Sequence, residues 1–155
     1  MPLEPVAEGV QATLDNIWVL VAAILVIFMQ AGFALVETGF CQAKNAAHVV
    51  ATNFAIFGLG FVGFFFLGHG FMFGGYTLPA IGLDSPMGGP LIGSGNWTFL
   101  YQGGFGGSGK AFYTAAGMGF FLYMVAFMDT VATIPTGSMA ERWKWNSFVV
   151  WGLFC

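Results

Sequence analysis

The sequence predicts an all-α integral membrane protein, a polytopic helical bundle, and three observations lead there. Only 7% of the 155 residues are charged while 57% are hydrophobic, where a soluble domain carries about 25% charged residues. Three apolar runs each reach the roughly 20 residues that a helix needs to cross a bilayer. Between the second and third run the texture changes to a glycine-rich connection with a single acid. This composition excludes a soluble enzyme. The net charge of −3 argues for no charged partner, and neither a basic patch for nucleic acid nor an acidic tail is present.

The first span covers about residues 17–39, with the apolar run Ile17 to Val36 at its centre. Met1 to Gly9 holds two acids and two prolines but no Lys or Arg. A signal peptide needs a basic region before its apolar core, so this run is expected to stay as a membrane span. Asp15-Asn16 offers an N-cap. Gln30 interrupts the aliphatic pattern and is suited to a hydrogen bond with a neighbouring helix, or to contact with a polar pathway. Glu37 near the exit reads as an interfacial acid paired with a nearby base or a backbone amide; Lys44 lies in the short linker that follows.

The second span, 46–73, is longer than a crossing requires, as a tilted helix would be. Glycines recur among its phenylalanines, and Gly70 and Gly74 form a small-residue pair that lets backbones approach. His48 and His69 sit near its two ends, about 30 Å apart along one helix, so they cannot pair with each other within one chain. Cys41 and Cys155 lie in or beside apolar runs, where a free cysteine acts as a small hydrophobe. No Cys or His spacing suggests a metal.

Residues 75–110 hold eleven glycines and three prolines and are expected to form a long irregular loop outside the membrane. Loops of that length are usually functional or packed as lids. Trp97, Phe99 and Tyr101 suggest that part of it lies at the membrane interface or caps the bundle. Gly104 to Lys110 resembles a phosphate-binding loop only superficially. Ala111 stands where the metal-binding Ser or Thr belongs, and the glycine-rich residues ahead of it are not expected to form a strand. Asn96-Trp97-Thr98 is a glycosylation sequon, relevant only in a eukaryotic secretory setting.

The third span, 111–140, contains Asp129 and Pro135. An acid inside an apolar span is costly and needs a reason. Pro135 removes a backbone hydrogen bond, and a break is expected at Ile134-Pro135-Thr136-Gly137. The last run, 148–155, is too short to cross a bilayer and is expected to be the start of a fourth span, truncated. Lys44, Arg142 and Lys144 stand on one side against Lys110 on the other. The positive-inside rule then places the N-terminus and the glycine-rich loop outside.

Three ordered segments resemble the ammonium transporter (Amt/Mep/Rh) family. They are Met29 to Gly39 with Ala43-Lys44-Asn45, the Gly-aromatic stretch Gly68 to Gly74, and Ser138-Met139-Ala140-Glu141-Arg142 after a Phe-rich helix. The resemblance implies that residues 1–155 are the N-terminal part of an ammonium-transporter domain of about eleven spans. It implies a homotrimer in the cell (plasma or inner) membrane, with one pore per subunit and a cytoplasmic PII-type protein as a regulatory partner. Its substrate would be ammonium or ammonia, moved without covalent chemistry and without a cofactor.

Aligned on Ala140-Glu141-Arg142, Phe127 falls where the family places one of two stacked gating phenylalanines. Tyr123 falls at an aromatic position of the external vestibule. The two are four residues apart and share one helix face, a platform for a small cation. The family's recruitment tryptophan, structural aspartate and twin pore histidines are expected beyond Cys155, and neither His48 nor His69 matches them. Asp129 lies two residues past Phe127, roughly 200° around the helix, so it is expected to face away from a pore. A structural role is expected there, bonding a neighbouring helix or acting through Thr130 or Thr133. An ammonium sensor coupled to a signalling domain, and a non-conducting assembly subunit, are the alternative functions.

Overall fold

A computed structural model describes residues 4–94 and 97–155. Met1–Leu3, and Asn96 of the sequon, lie outside the described residues. Helix α1 covers Glu4–Phe40. It begins well before the apolar run, across a segment that mixes good helix formers (Ala7, Glu8, Gln11, Ala12, Leu14) with weaker ones, and Pro5 sits in the first turn, where a missing N–H costs nothing. Asp15-Asn16 is therefore inside a helix and caps nothing. Asn16 instead donates from Nδ2 to Ala12 O at 2.9 Å and to Ile81 O at 2.7 Å.

A single 3-10 turn, Ala43–Asn45, leads into α2, Ala46–Gly63. The helix passes through a π-helical turn at Phe64–Gly68 into α3, His69–Phe73. The expected irregular loop contains a β-hairpin, β1 at Gly88–Ser94 and β2 at Trp97–Gly103. The strands are antiparallel, with Gly88 opposite Gly103 and Ile92 opposite Leu100. The valine- and isoleucine-poor, glycine-rich composition concealed it. Helix α4, Ala115–Ser138, starts later than the sequence suggested because Lys110–Tyr113 forms a 3-10 turn. Pro135 lies inside α4, which continues to Ser138 without the expected break. Trp151 Nε1 donates to Ala132 O at 3.2 Å in the turn before the proline. Neighbouring donors of this kind let membrane helices tolerate proline. Helix α5 covers Trp145–Phe154.

Three of these helical segments, Glu8–Phe40, Ala43–Phe73 and Ala115–Ser138, are long and apolar enough to cross a membrane. The chain is a helical membrane protein.

Two compact units divide the chain. One comprises residues up to Ala23 with Phe65–Tyr123. Its centre is aromatic: His69 is fully buried and its ring lies 5.2 Å from that of Phe121, 5.6 Å from Phe112 and 5.9 Å from Phe73. Tyr76 stacks on Phe120 at 5.4 Å. The hairpin is anchored to the end of α3 by a Gly88 N–H to Gly74 O bond of 2.7 Å. A Cβ on Gly74 would fall 2.5 Å from the carbonyl oxygens of Gly103 and Gly70, so only glycine permits that approach.

The other unit comprises Ile24–Phe64 with Met124–Cys155. Ile56, Ala132 and Phe148 are buried at its centre, with Leu59, Met128, Trp143, Val149 and Trp151 packed around them. The backbones of α2 and α5 touch at Gly63, where a Cβ would overlap the Leu153 carbonyl.

Candidate functional site

The second unit contains a continuous ladder of buried polar side chains drawn from α1, α2 and α4. Gln30 of α1 donates from Nε2 to Asn53 O at 2.8 Å and lies 3.1 Å from Thr133 Oγ1. The Thr133 hydroxyl lies 3.2 Å from Gln30 Oε1 and 3.3 Å from Asp129 Oδ1. Its single proton satisfies both neighbours when it accepts from Gln30 Nε2 and donates to Asp129. Asn53 Nδ2 donates to Glu37 Oε2 at 2.6 Å and to Val49 O at 3.0 Å. Thr136 Oγ1 lies 2.6 Å from Thr133 O, and 3.0 Å and 3.1 Å from the two Glu37 oxygens.

These distances locate three of the residues singled out in the sequence. Asp129 is 2% exposed, bonds within its own helix to Thr133, and through it meets Gln30 of α1. Gln30 is also buried and bridges α1 to both α2 and α4. For Glu37 the partner is neither the expected base nor a backbone amide. Glu37 is 8% exposed and its partners are the Asn53 side-chain amide and the Thr136 hydroxyl. The reason is steric. Gly137 has no side chain, and a Cβ there would lie 2.8 Å from Glu37 Oε1, so the glycine opens the space into which the carboxylate folds. Asn53 and Thr136, two of the six residues in this ladder, carried no readable signal in sequence. Polar residues spaced far apart in the chain meet only when three helices pack.

Phe127 lies on the other side of α4 from Asp129 and is 43% exposed. Tyr123, in the first unit, is half-buried. His48 is exposed near the start of α2, and His69 belongs to the aromatic centre of the first unit. No group of three or more metal-binding side chains occurs among the described residues.

Where α4 ends, Glu141 adopts a left-handed backbone with φ 66°, uncommon for a residue with a side chain. Its Oε1 accepts from Asn45 Nδ2 at 2.7 Å and from the Gln42 N–H at 3.2 Å, tying the α1–α2 linker to the α4 exit. The Asn45 amide first, then the Gln42 N–H, hold its carboxyl below the ordinary value, with smaller help from Lys44 and Arg142. A lowered folded value means the tether stabilises the folded state fully above the ordinary carboxylate range and is lost as pH falls through the lowered one. The melting temperature should therefore decline less between pH 5 and pH 3 in Glu141→Gln than in the parent. Equal declines would mean that this carboxylate contributes nothing to the acid response.

The model of the Ammonium Transporter Family matches residues 17–155. Over 148 residues the chain is 34% identical to ammonium transporter Amt2 of Archaeoglobus fulgidus, covering 96% of this chain and 27% of that protein. It is 34% identical to ammonium transporter Amt1 of Haloferax mediterranei, covering 94% of this chain and 24% of that protein. It is 31% identical to ammonium transporter 3 of Dictyostelium discoideum, covering 90% and 27% respectively. The chain thus spans about a quarter of the length of these relatives. No solved structure gives a significant match.

Proposed function

The chain belongs to the ammonium transporter family, and from that premise we propose that the protein moves ammonium or ammonia across a cell membrane through a narrow apolar pore gated by aromatic rings. Its relatives bear the name of ammonium transporters. In this reading Phe127 is the gate and Tyr123 belongs to the vestibule that receives the cation. The observation that carries it is the division of labour on α4. Asp129 and Thr133 are buried and bonded, while Phe127, on the opposite side of the helix, is 43% exposed. An apolar ring there excludes hydrated ions, and aromatic faces offset part of the cost of dehydrating a small cation.

Gln30, Glu37 and Asp129 then serve as intramembrane struts that set the rotation of α4 rather than as groups that touch the substrate. The N-terminus lies outside, the subunits assemble as a trimer, and a PII-type protein acts on the cytoplasmic side. The test is Phe127→Ala in the full gene product, assayed by ammonium uptake and by conductance to larger cations. Uptake should change by about 2- to 30-fold, the range of one aromatic–cation contact, with weakened exclusion of other ions. Unchanged uptake and selectivity would remove Phe127 from the pore.

A further inference from the structure

At the end of α4, within the second unit, Glu141, Trp143, Trp145 and Phe148 line a cavity of about 180 Å³ together with Thr52 and Met139. The aromatic walls are continuous. Phe148 lies 6.1 Å from Trp143 and 5.2 Å from Trp145, ring centre to ring centre. Among the described residues the acid is held by two bonds, both to Oε1, and the residue is exposed, so Oε2 can face a ligand. Its left-handed backbone is the kind of local strain that gathers at ligand clamps. Three aromatic rings and a carboxylate around one small space are the chemistry that recognises an organic ammonium group.

The depth of the cavity narrows the choice. The cavity reaches from Thr52, inside the span Ala43–Phe73, to Met139, one residue past the span Ala115–Ser138, and so lies toward the ends of those spans. Indole rings prefer that level of the bilayer. Arg142 and Lys144 are exposed beside it in the chain, and the Arg142 charge acts on the Glu141 carboxylate. Those cations oppose a simple amine but complement a group that carries a phosphate two carbons from its ammonium. His48 also lines the cavity and supplies a further polar wall.

We propose that this cavity binds the ammonium of an ethanolamine-type headgroup, with the phosphate on Arg142 and Lys144, so that a zwitterionic lipid clamps the α4 exit to the α1–α2 linker. The inference needs the membrane setting only and does not depend on what the protein transports.

The test uses the purified full gene product and native mass spectrometry. Short-chain phosphatidylethanolamine is titrated against short-chain phosphatidylglycerol, with free ethanolamine as a separate arm. Phosphatidylethanolamine should bind about tenfold more tightly than phosphatidylglycerol, in line with one or two aromatic–cation contacts. Glu141→Gln, which keeps an acceptor for Asn45 and Gln42, should abolish most of that preference. Trp145→Ala should do the same, and Trp145 is 55% exposed, so its loss leaves the core intact. Equal binding of the two lipids, or a preference untouched in both variants, overturns the proposal. Binding of free ethanolamine as tight as that of the lipid overturns the lipid source.

Discussion

Gly63→Ala should cost about 3 kcal/mol or more, the upper range for forcing extra atoms into a packed contact. The added Cβ overlaps the Leu153 carbonyl oxygen and approaches its carbon to 2.9 Å. These are backbone atoms of α5 and cannot rotate away, so the two helices must part. Separation would expose Ile56 and Phe148, the buried centre of that unit. Gly58→Ala is the matched control. It lies in the same helix, and nothing stands within 4 Å of its Cβ position. There the change should be neutral or slightly stabilising, because alanine is the better helix former. Thermal melting and the monodisperse fraction of the purified full gene product measure both. If the two variants melted alike, close packing of α2 on α5 would not be a source of stability.

The second large effect is expected at Glu37. Glu37→Leu strands one N–H of Asn53, which is fully buried, because its other hydrogen is committed to Val49 O. An unmet buried donor costs about 1–3 kcal/mol. Thr136 is less affected, since Thr133 O remains 2.6 Å away. The link from α1 to α2 and α4 is nevertheless lost at this level. Glu37→Gln should be nearly neutral, because its amide oxygen accepts from Asn53 and its NH₂ can donate to the Thr136 hydroxyl. A melting temperature that fell equally in both variants would show that the negative charge, and not the hydrogen bonding, is what the site requires. An unchanged Glu37→Leu would show that the ladder is dispensable.

The spans were legible because burial in lipid demands long apolar runs, and composition alone reports that. Their ends were less so. The helix ahead of Ile17 is amphiphilic rather than apolar, and the continuation of α4 through Pro135 depends on the surrounding structure, including the bond from Trp151 to Ala132 O. The hairpin at Gly88–Gly103 carries little sequence signature, since its pairing relies on glycine backbones in close contact, with little alternation of side chains to announce it.

By itself the sequence determined that the chain is helical and membrane-borne, which family it resembles, and that Asp129 and Phe127 point to opposite sides of one helix. Those conclusions follow from hydrophobic run length, ordered motifs and helical periodicity, all local quantities. Only the tertiary structure decided what the costly polar residues do. Glu37, Asn53, Gln30, Thr133, Thr136 and Asp129 come from three separated segments. The bonds that join these segments, Gln30 to Asn53 O and Thr133, and Glu37 to Asn53 and Thr136, are supplied by proximity in space and not in sequence. The same holds for the cavity beside Glu141, whose walls come from α2, the α4 exit and α5.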